Sequence, residues 1–311
     1  MKYAISTKLK ELGFTPYIIG AFYDKLHYDI SFIKNYSNLI IVKKFTEIKK
    51  NDFDILMVNS DQTWKKKYLE YFYDYAFLYF SRHWKIPKFI YGASLGYTEW
   101  KFDRKDEKIA KFCLKSFKGI SVREIGAIER INKHLGIKPI FVLDPTFLID
   151  KKYYLNFINE FKKNNLISQK KLLFTYLLTE EKEIIDFIND SSIELNYTIF
   201  KVKENHTDSV KKFLYGIYHC EAVVTNSYHG TLFSIIFQKP FVTFIYKGHT
   251  NDRFNSLKDI FKIGERIVLY GNRPDISLLT TPLNIDQNLM NSLKSKSIDF
   301  IKRNLKTFKH M

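Results

Sequence analysis

The feature that most constrains the fold is an alternation along the chain between short apolar runs and longer segments with helical periodicity. The runs are rich in β-branched and aromatic residues, as buried strands are. They stand at residues 55–58, 89–93, 120–122, 140–143, 171–178, 197–202, 222–225 and 241–245. Strands that alternate with helices form parallel sheets covered by helices. An α/β fold is therefore predicted.

The predicted strands fall into two series, which indicates two domains. Segments with helical periodicity separate the strands at residues 105–117, 124–135, 180–189, 209–219 and 231–237. Gly136 stands where the second of these helices is expected to stop. A chain of 311 residues also suits two compact units better than one. We predict two Rossmann-like domains at residues 1–150 and 151–285, and a helix at 286–311 that packs back on the first domain.

The chain is strongly basic, with a formal net charge of +17. Only eight of its 50 basic residues are arginines, and the lysines are spread along the chain. Proteins usually recognise phosphates and base edges through arginine, whose guanidinium group can donate two parallel hydrogen bonds. The sequence has no zinc-finger spacing and no basic arm, so nucleic acid is not the expected partner. The charge fits an acidic small substrate or peripheral contact with an anionic membrane surface.

Two cysteines, Cys113 and Cys220, stand far apart in the sequence and form no Cys-x-x-Cys pair. This usage is typical of a reduced compartment. Neither a signal peptide pattern nor an apolar stretch of membrane-spanning length is present. We therefore expect a cytoplasmic protein, peripheral at most at the inner face of the membrane. The histidines lack partners at metal-ligand spacing, and no dinucleotide or P-loop motif occurs, so no metal and no cofactor are expected.

The strongest chemical signal is the segment that follows the predicted strand at 222–225. It reads Thr225-Asn226-Ser227-Tyr228-His229-Gly230-Thr231 and leads into an apolar helix. Ligands of open α/β sheets bind at the carboxyl ends of strands, and a helix N-terminus attracts anions. A histidine there suits general acid–base catalysis. The alternative is that Asn226 and Ser227 only cap the helix while His229 makes local hydrogen bonds.

Five other segments join this one in a fixed order along the chain. They are Asn59-Ser60-Asp61-Gln62-Thr63-Trp64, Tyr91-Gly92-Ala93-Ser94-Leu95-Gly96, Ser121-Val122-Arg123-Glu124, Leu143-Asp144-Pro145-Thr146, and Arg253 followed by Leu257. In this order the six segments resemble the polysaccharide pyruvyl transferase family. This chain departs from the family pattern at its start. Members of the family have a strand and a glycine-containing loop there. We expect this chain to lack that first strand, which puts the acceptor side in doubt.

The resemblance implies two domains that face a cleft, as in GT-B glycosyltransferases, with an acceptor side in the first domain and a donor side in the second. It implies transfer of pyruvate from phosphoenolpyruvate to a sugar of a glycan or a lipid-linked oligosaccharide, which gives a cyclic ketal. His229 would then act as acid, and Asp61 would contact the sugar hydroxyl. Arg123 and, from the second domain, Arg253 would bind the anionic donor. The further candidates for substrate binding are Gln62, Ser94, Asn226, Ser227, Tyr228, Gly230 and Thr231.

Bland alternatives accompany these assignments. The two arginines also fit a role in salt bridges. Asp61 would suit an Asx turn, Asp144 would suit a turn, and Glu124 would suit an interaction with the dipole of the helix that it precedes. We expect Trp64 to pack under its own segment and not against a sugar. Two other functions also fit the sequence: a GT-B glycosyltransferase that uses a nucleotide sugar, and a catalytically silent glycan-binding protein.

Overall fold

A computed structural model describes residues 2–21, 38–60, 62–69, 73–163, 170–202, 209–248 and 251–306. These residues form two compact units. The first unit consists of the described residues within 2–149, 251–256 and 288–306, and the second of those within 150–248 and 257–287. Each unit has its own parallel sheet. The predicted α/β class with two Rossmann-like halves is confirmed.

The first unit is built around a four-stranded parallel sheet in the order β3-β4-β5-β6. Two further strands, β1 and β2, pair in parallel ahead of it in the chain, and they were not predicted from the sequence. The elements of this unit are α1 (Lys2–Glu11), β1 (Tyr17–Ala21), β2 (Asn38–Val42), β3 (Leu56–Val58), α2 (Lys66–Leu69), α3 (Tyr73–Phe77), β4 (Lys88–Ala93), α4 (Arg104–Leu114), β5 (Phe117–Val122), α5 (Ile125–Leu135) and β6 (Ile140–Phe141).

Local sequence explains where the helices of this unit begin and end. Asp103 and Asp106 form a capping box at the start of α4, each carboxylate accepting the other residue's backbone N–H. Helix α5 ends at Gly136, whose φ of +69° is the left-handed conformation that glycine tolerates best. The predicted helix stop at Gly136 is confirmed.

The last helix of the chain, α11 (Gln287–Lys306), packs on the sheet of the first unit. The ring of Phe300 lies 6.3 Å from the rings of both Phe89 and Tyr91 on β4. The hydroxyl of Ser297 accepts a hydrogen bond of 2.9 Å from the backbone N–H of Leu143. Aromatic packing and a buried hydrogen bond therefore fix the position of this helix on the sheet.

The second unit contains a five-stranded parallel sheet in the order β11-β10-β9-β7-β8. Its elements are α6 (Lys151–Lys163), β7 (Leu172–Tyr176), α7 (Lys182–Glu194), β8 (Thr198–Val202), α8 (Ser209–His219), β9 (Ala222–Thr225), α9 (Tyr228–Phe237), β10 (Phe241–Ile245), α10 (Asp252–Phe261) and β11 (Ile267–Leu269). The first residues of α10 belong to the first unit. The chain runs from β7 outward to β8 and then returns to the other side of β7 as β9. This reversal of strand order is a topological switch point, where open α/β sheets bind ligands.

Candidate functional site

In the second unit, the conspicuous Thr225–Thr231 segment lies at the switch point between β7 and β9. Thr225 pairs with Tyr176 across the two strands, and its hydroxyl donates to the carbonyl of Tyr176 at 2.5 Å. Asn226 follows and joins the two strand ends. Its Oδ1 accepts from the N–H of Leu178 at 2.7 Å, and its Nδ2 donates to the carbonyl of Thr179 at 2.8 Å. The strand ends therefore form one linked edge.

Ser227, Gly230 and Thr231 hold the start of α9 in place. The hydroxyl of Ser227 caps the helix and accepts from the N–H of Gly230. Thr231 is buried, and its hydroxyl lies 2.8 Å from that of Thr243 on β10. A Cβ on Gly230 would stand only 2.4 Å from Oγ1 of Thr225. Glycine is required here by the packing of the helix on its own strand. The backbone N–H groups of Ser227, Gly230 and Thr231 all donate within the segment, so these residues shape the start of the helix.

His229 lies in the first turn of α9. Its ring is half-buried, with Nε2 shielded from solvent, and stands edge-on to the ring of Tyr228 at 5.7 Å. Tyr228 itself is buried. The N-terminus of a helix carries a partial positive charge, which favours a bound anion. The structure thus places a histidine and an anion-attracting helix end together at the carboxyl edge of the sheet.

The same edge carries a group of side chains that sequence reasoning missed. The hydroxyl of Tyr246, the residue after β10, lies 2.6 Å from the hydroxyl of Thr179 and donates to Glu181 at 2.8 Å. Its ring stacks on that of Tyr270, with centroids 5.6 Å apart. Burial raises the pKa of Tyr246. The usable signal was position, since Tyr246 and Tyr270 each directly follow a strand.

In the first unit, Arg123 and Asp144 form a buried ion pair at the carboxyl ends of β5 and β6. Nη1 of Arg123 lies 2.6 Å from Oδ2 of Asp144, and the two side chains are 1% and 0% exposed. The other carboxylate oxygen accepts from the backbone N–H and the hydroxyl of Thr146. Arg123 also approaches the hydroxyl of Ser60 at 3.4 Å. Asp144 is therefore both a turn residue and the counter-charge of Arg123.

Glu124, the next residue, is fully buried and binds the loop that follows β4. Its carboxylate accepts from the hydroxyl of Ser94 and, at 3.1 Å, from the backbone N–H of Leu95. Burial raises the pKa of Glu124, and the neighbouring charge of Arg123 opposes that rise. Ser94, a candidate for substrate binding, is thus engaged by Glu124.

Arg253 belongs to the first unit, although the sequence analysis assigned it to the second domain. Its neighbours explain why. Asp252 forms an ion pair with Arg130 of α5, and the hydroxyl of Ser256 accepts from the backbone N–H of Ile125 at 3.0 Å. Arg253 stacks over the ring of Phe254 at 5.3 Å. Segment 251–256 is therefore attached to the start of α5, close in sequence to Arg123.

The acceptor candidates are only partly visible. Asp61 lies outside the described residues. Gln62 is half-buried beside Gly96, where a Cβ on Gly96 would lie 3.3 Å from its Nε2. Trp64 is fully buried and donates to the carbonyl of Ala76 at 3.0 Å, so it cannot stack on a sugar in this arrangement.

Two general properties of the described residues complete the picture. Among them, no three His, Cys, Asp or Glu side chains are grouped to hold a metal ion. In the same part of the chain, no helix combines the length and the apolar character needed to cross a membrane.

The candidate residues form two groups, one in each unit. Ser94, Arg123 and Arg253 lie in the first unit, and the segment 225–231 lies in the second.

Comparison with known proteins agrees with the order of the motifs. A search of curated protein sequences gives no match to the chain. The family model described as polysaccharide pyruvyl transferase matches residues 1–248, which is well over half of the chain. The protein therefore belongs to the polysaccharide pyruvyl transferase family and is a transferase.

Proposed function

We propose that the protein transfers the pyruvyl group of phosphoenolpyruvate to a sugar of a surface polysaccharide or of its lipid-linked precursor. The product is a cyclic pyruvate ketal, and inorganic phosphate is released. The observation that carries this proposal is the position of His229, in the first turn of a helix that starts at the carboxyl end of β9 and at the switch point of the sheet. Family membership supports the polysaccharide acceptor.

The donor chemistry suits the residues at hand. Phosphoenolpyruvate carries a phosphate and a carboxylate, which need cationic forks and backbone donors. The start of α9 offers the positive end of its helix dipole, and Asn226, whose side chain joins two strand ends, lies beside it. Arg123 and Arg253 are the cationic candidates. Asp144 holds the guanidinium of Arg123 in one orientation, which limits the entropy lost when an anion binds.

The reaction balances with one acid and one base. His229 donates a proton to the methylene carbon of phosphoenolpyruvate, which becomes a methyl group, and a sugar hydroxyl oxygen attacks the adjacent carbon. The second hydroxyl attacks the same carbon as the C–O bond to phosphate breaks. Of the two protons released by the hydroxyls, one replaces the proton that His229 gave and the other leaves with phosphate. Asp61 and Gln62 are the candidates for orienting the attacking hydroxyl.

The test is phosphate release from phosphoenolpyruvate in the presence of candidate glycan acceptors. We expect His229→Asn to slow release by roughly 100-fold or more, the usual range for a lost general acid. The matched control is His83→Asn, an exposed histidine of the first unit, which should release phosphate at the parent rate. In heavy water the new methyl group should carry one deuterium, located by NMR.

Three results would contradict the proposal. Equal rates for parent and His229→Asn would remove His229 from the chemistry. Consumption of a nucleotide sugar without use of phosphoenolpyruvate would favour a GT-B glycosyltransferase. Glycan binding without any phosphate release across the acceptor panel would indicate a catalytically silent protein.

A further inference from the structure

A basic cavity lies between α11 and the edge strand β6 of the first unit. Its volume is about 550 Å³, and its lining includes Lys296, Lys302, Arg303 and Lys306, all from α11. Asp299 contributes a carboxylate to the lining. Its lining also includes both residues of β6, Ile140 and Phe141, but none of the candidate site residues. It is a feature separate from the candidate site.

Within the described part of the chain, the four cations of this cavity outnumber its one carboxylate, that of Asp299. Among the described residues, none of the four has a carboxylate within ion-pair distance, and Arg303 donates only to the backbone carbonyl of Asp299, at 3.3 Å. The four positions share one exposed face of α11, opposite the buried face that includes Phe300 and Ile301. Because that buried face is packed on the sheet, the helix presents all four cations on one side and needs no further ordering to attract anions.

Apolar side chains lie beside these charges. Ile140 and Phe141 line the same cavity, and Ile140 is 41% exposed. Proteins that bind a lipid interface often combine exposed apolar residues with neighbouring lysines. The lysine side chains cover apolar surface with their methylene groups while their ammonium groups reach the phosphates. Three of the four cations are lysines, whose hydrated point charges need no fixed bidentate geometry. A diffuse layer of headgroups satisfies them.

We propose that this basic cavity is the contact through which the protein binds the surface of a membrane that contains anionic phospholipids. Phosphate headgroups meet the cations of α11, and Ile140 and Phe141 face the boundary of the acyl region. The first unit, which carries Arg123 and Arg253, is thereby held at the membrane surface. The proposal stands independently of the reaction, since it rests on residues outside the candidate site.

The experiment is co-sedimentation of the full chain with vesicles at physiological ionic strength. Vesicles of phosphatidylglycerol and phosphatidylcholine in equal amounts are compared with vesicles of phosphatidylcholine alone. Each cation near an anionic surface contributes about 1 kcal/mol, which is about fivefold in affinity. We therefore expect Lys302→Glu/Arg303→Glu to weaken binding to the anionic vesicles by at least about 25-fold.

The matched control is Lys105→Glu/Lys108→Glu, which makes the same change of net charge at two exposed positions of α4. Circular dichroism should show that both variants fold. The proposal predicts that the control keeps most of the binding. Equal losses in the two variants, or equal binding of the parent to both kinds of vesicle, would overturn it.

Two further probes separate the source of the anion. If inorganic phosphate at millimolar concentration displaces the parent from the vesicles, the cavity takes a free phosphate and the membrane proposal fails. If the parent binds a soluble acidic polysaccharide through Lys302 and Arg303 but binds no vesicle, the occupant is a glycan and the proposal also fails. Failure here leaves phosphate release from phosphoenolpyruvate unaffected.

Discussion

Replacement of Asp144 by alanine is expected to destabilise the first unit strongly. The change leaves the guanidinium of Arg123, 1% exposed, without its counter-charge, and it removes the acceptor of two hydrogen bonds from Thr146. Removal of one partner from a buried ion pair typically costs 3 to 5 kcal/mol. We expect a loss of about 4 kcal/mol, a large part of the stability of a domain of this size.

The assay is unfolding in urea, followed by tryptophan fluorescence. All three tryptophans of the chain, Trp64, Trp84 and Trp100, belong to the first unit, so the signal reports that unit without interference from the second. With an m-value near 2 kcal/mol/M, a loss of about 4 kcal/mol moves the midpoint by about 2 M. Thr146→Val is the control, since it removes one hydrogen bond and keeps the ion pair, and should cost about 1 kcal/mol.

The double variant Arg123→Met/Asp144→Leu separates stability from function. A buried ion pair replaced by apolar side chains of similar size is often neutral for stability, so the double variant should unfold near the parent midpoint. Phosphate release should nevertheless be lost if Arg123 binds the donor. A loss below about 1 kcal/mol in Asp144→Ala, or a double variant as unstable as the single one, would refute the reasoning.

Two further predictions concern single residues. Burial raises the pKa of Glu124 in the folded state. As the pH rises, the unfolded chain therefore loses this proton before the folded chain does. The free energy of unfolding of the parent then falls relative to that of Glu124→Gln. The difference in free energy of unfolding between the two proteins should begin to change at about pH 4.5 and become constant above the raised pKa. Urea midpoints of the parent and of Glu124→Gln across this range measure it, and a difference that stays constant with pH would contradict the reasoning. Gly230→Ala should cost about 2 kcal/mol, or about 6 °C in melting temperature by circular dichroism, because the new Cβ meets Thr225 at 2.4 Å. Gly264→Ala adds a Cβ in ordinary contact and should melt with the parent; equal melting temperatures for the two alanine variants would contradict this account.

Much of the architecture could be predicted from local pattern. The strands β3 to β5 and β7 to β10 coincide closely with apolar runs. Four of them, β4, β7, β9 and β10, are buried along almost their whole length, and such strands must be apolar on both faces. Helix α5 stops at Gly136, and Ser227 caps α9, since both are short-range effects of glycine and of a small polar side chain. The prediction missed β1, β2 and β11, although β2 carries an apolar run, Leu39 to Val42, of the same kind as the predicted strands.

Some features of the candidate site could likewise be predicted from the sequence, and others depend on the tertiary structure. The sequence alone determined the alternation of strands and helices, the order of the six motifs and, through it, the family of the protein. Only the tertiary structure decided that Asn226 joins the ends of β7 and β9, that Asp144 is the partner of Arg123, and that Arg253 belongs to the first unit. These pairs lie far apart in the chain or on separate strands. Their contacts depend on strand order and packing, which local propensity and turn chemistry leave open.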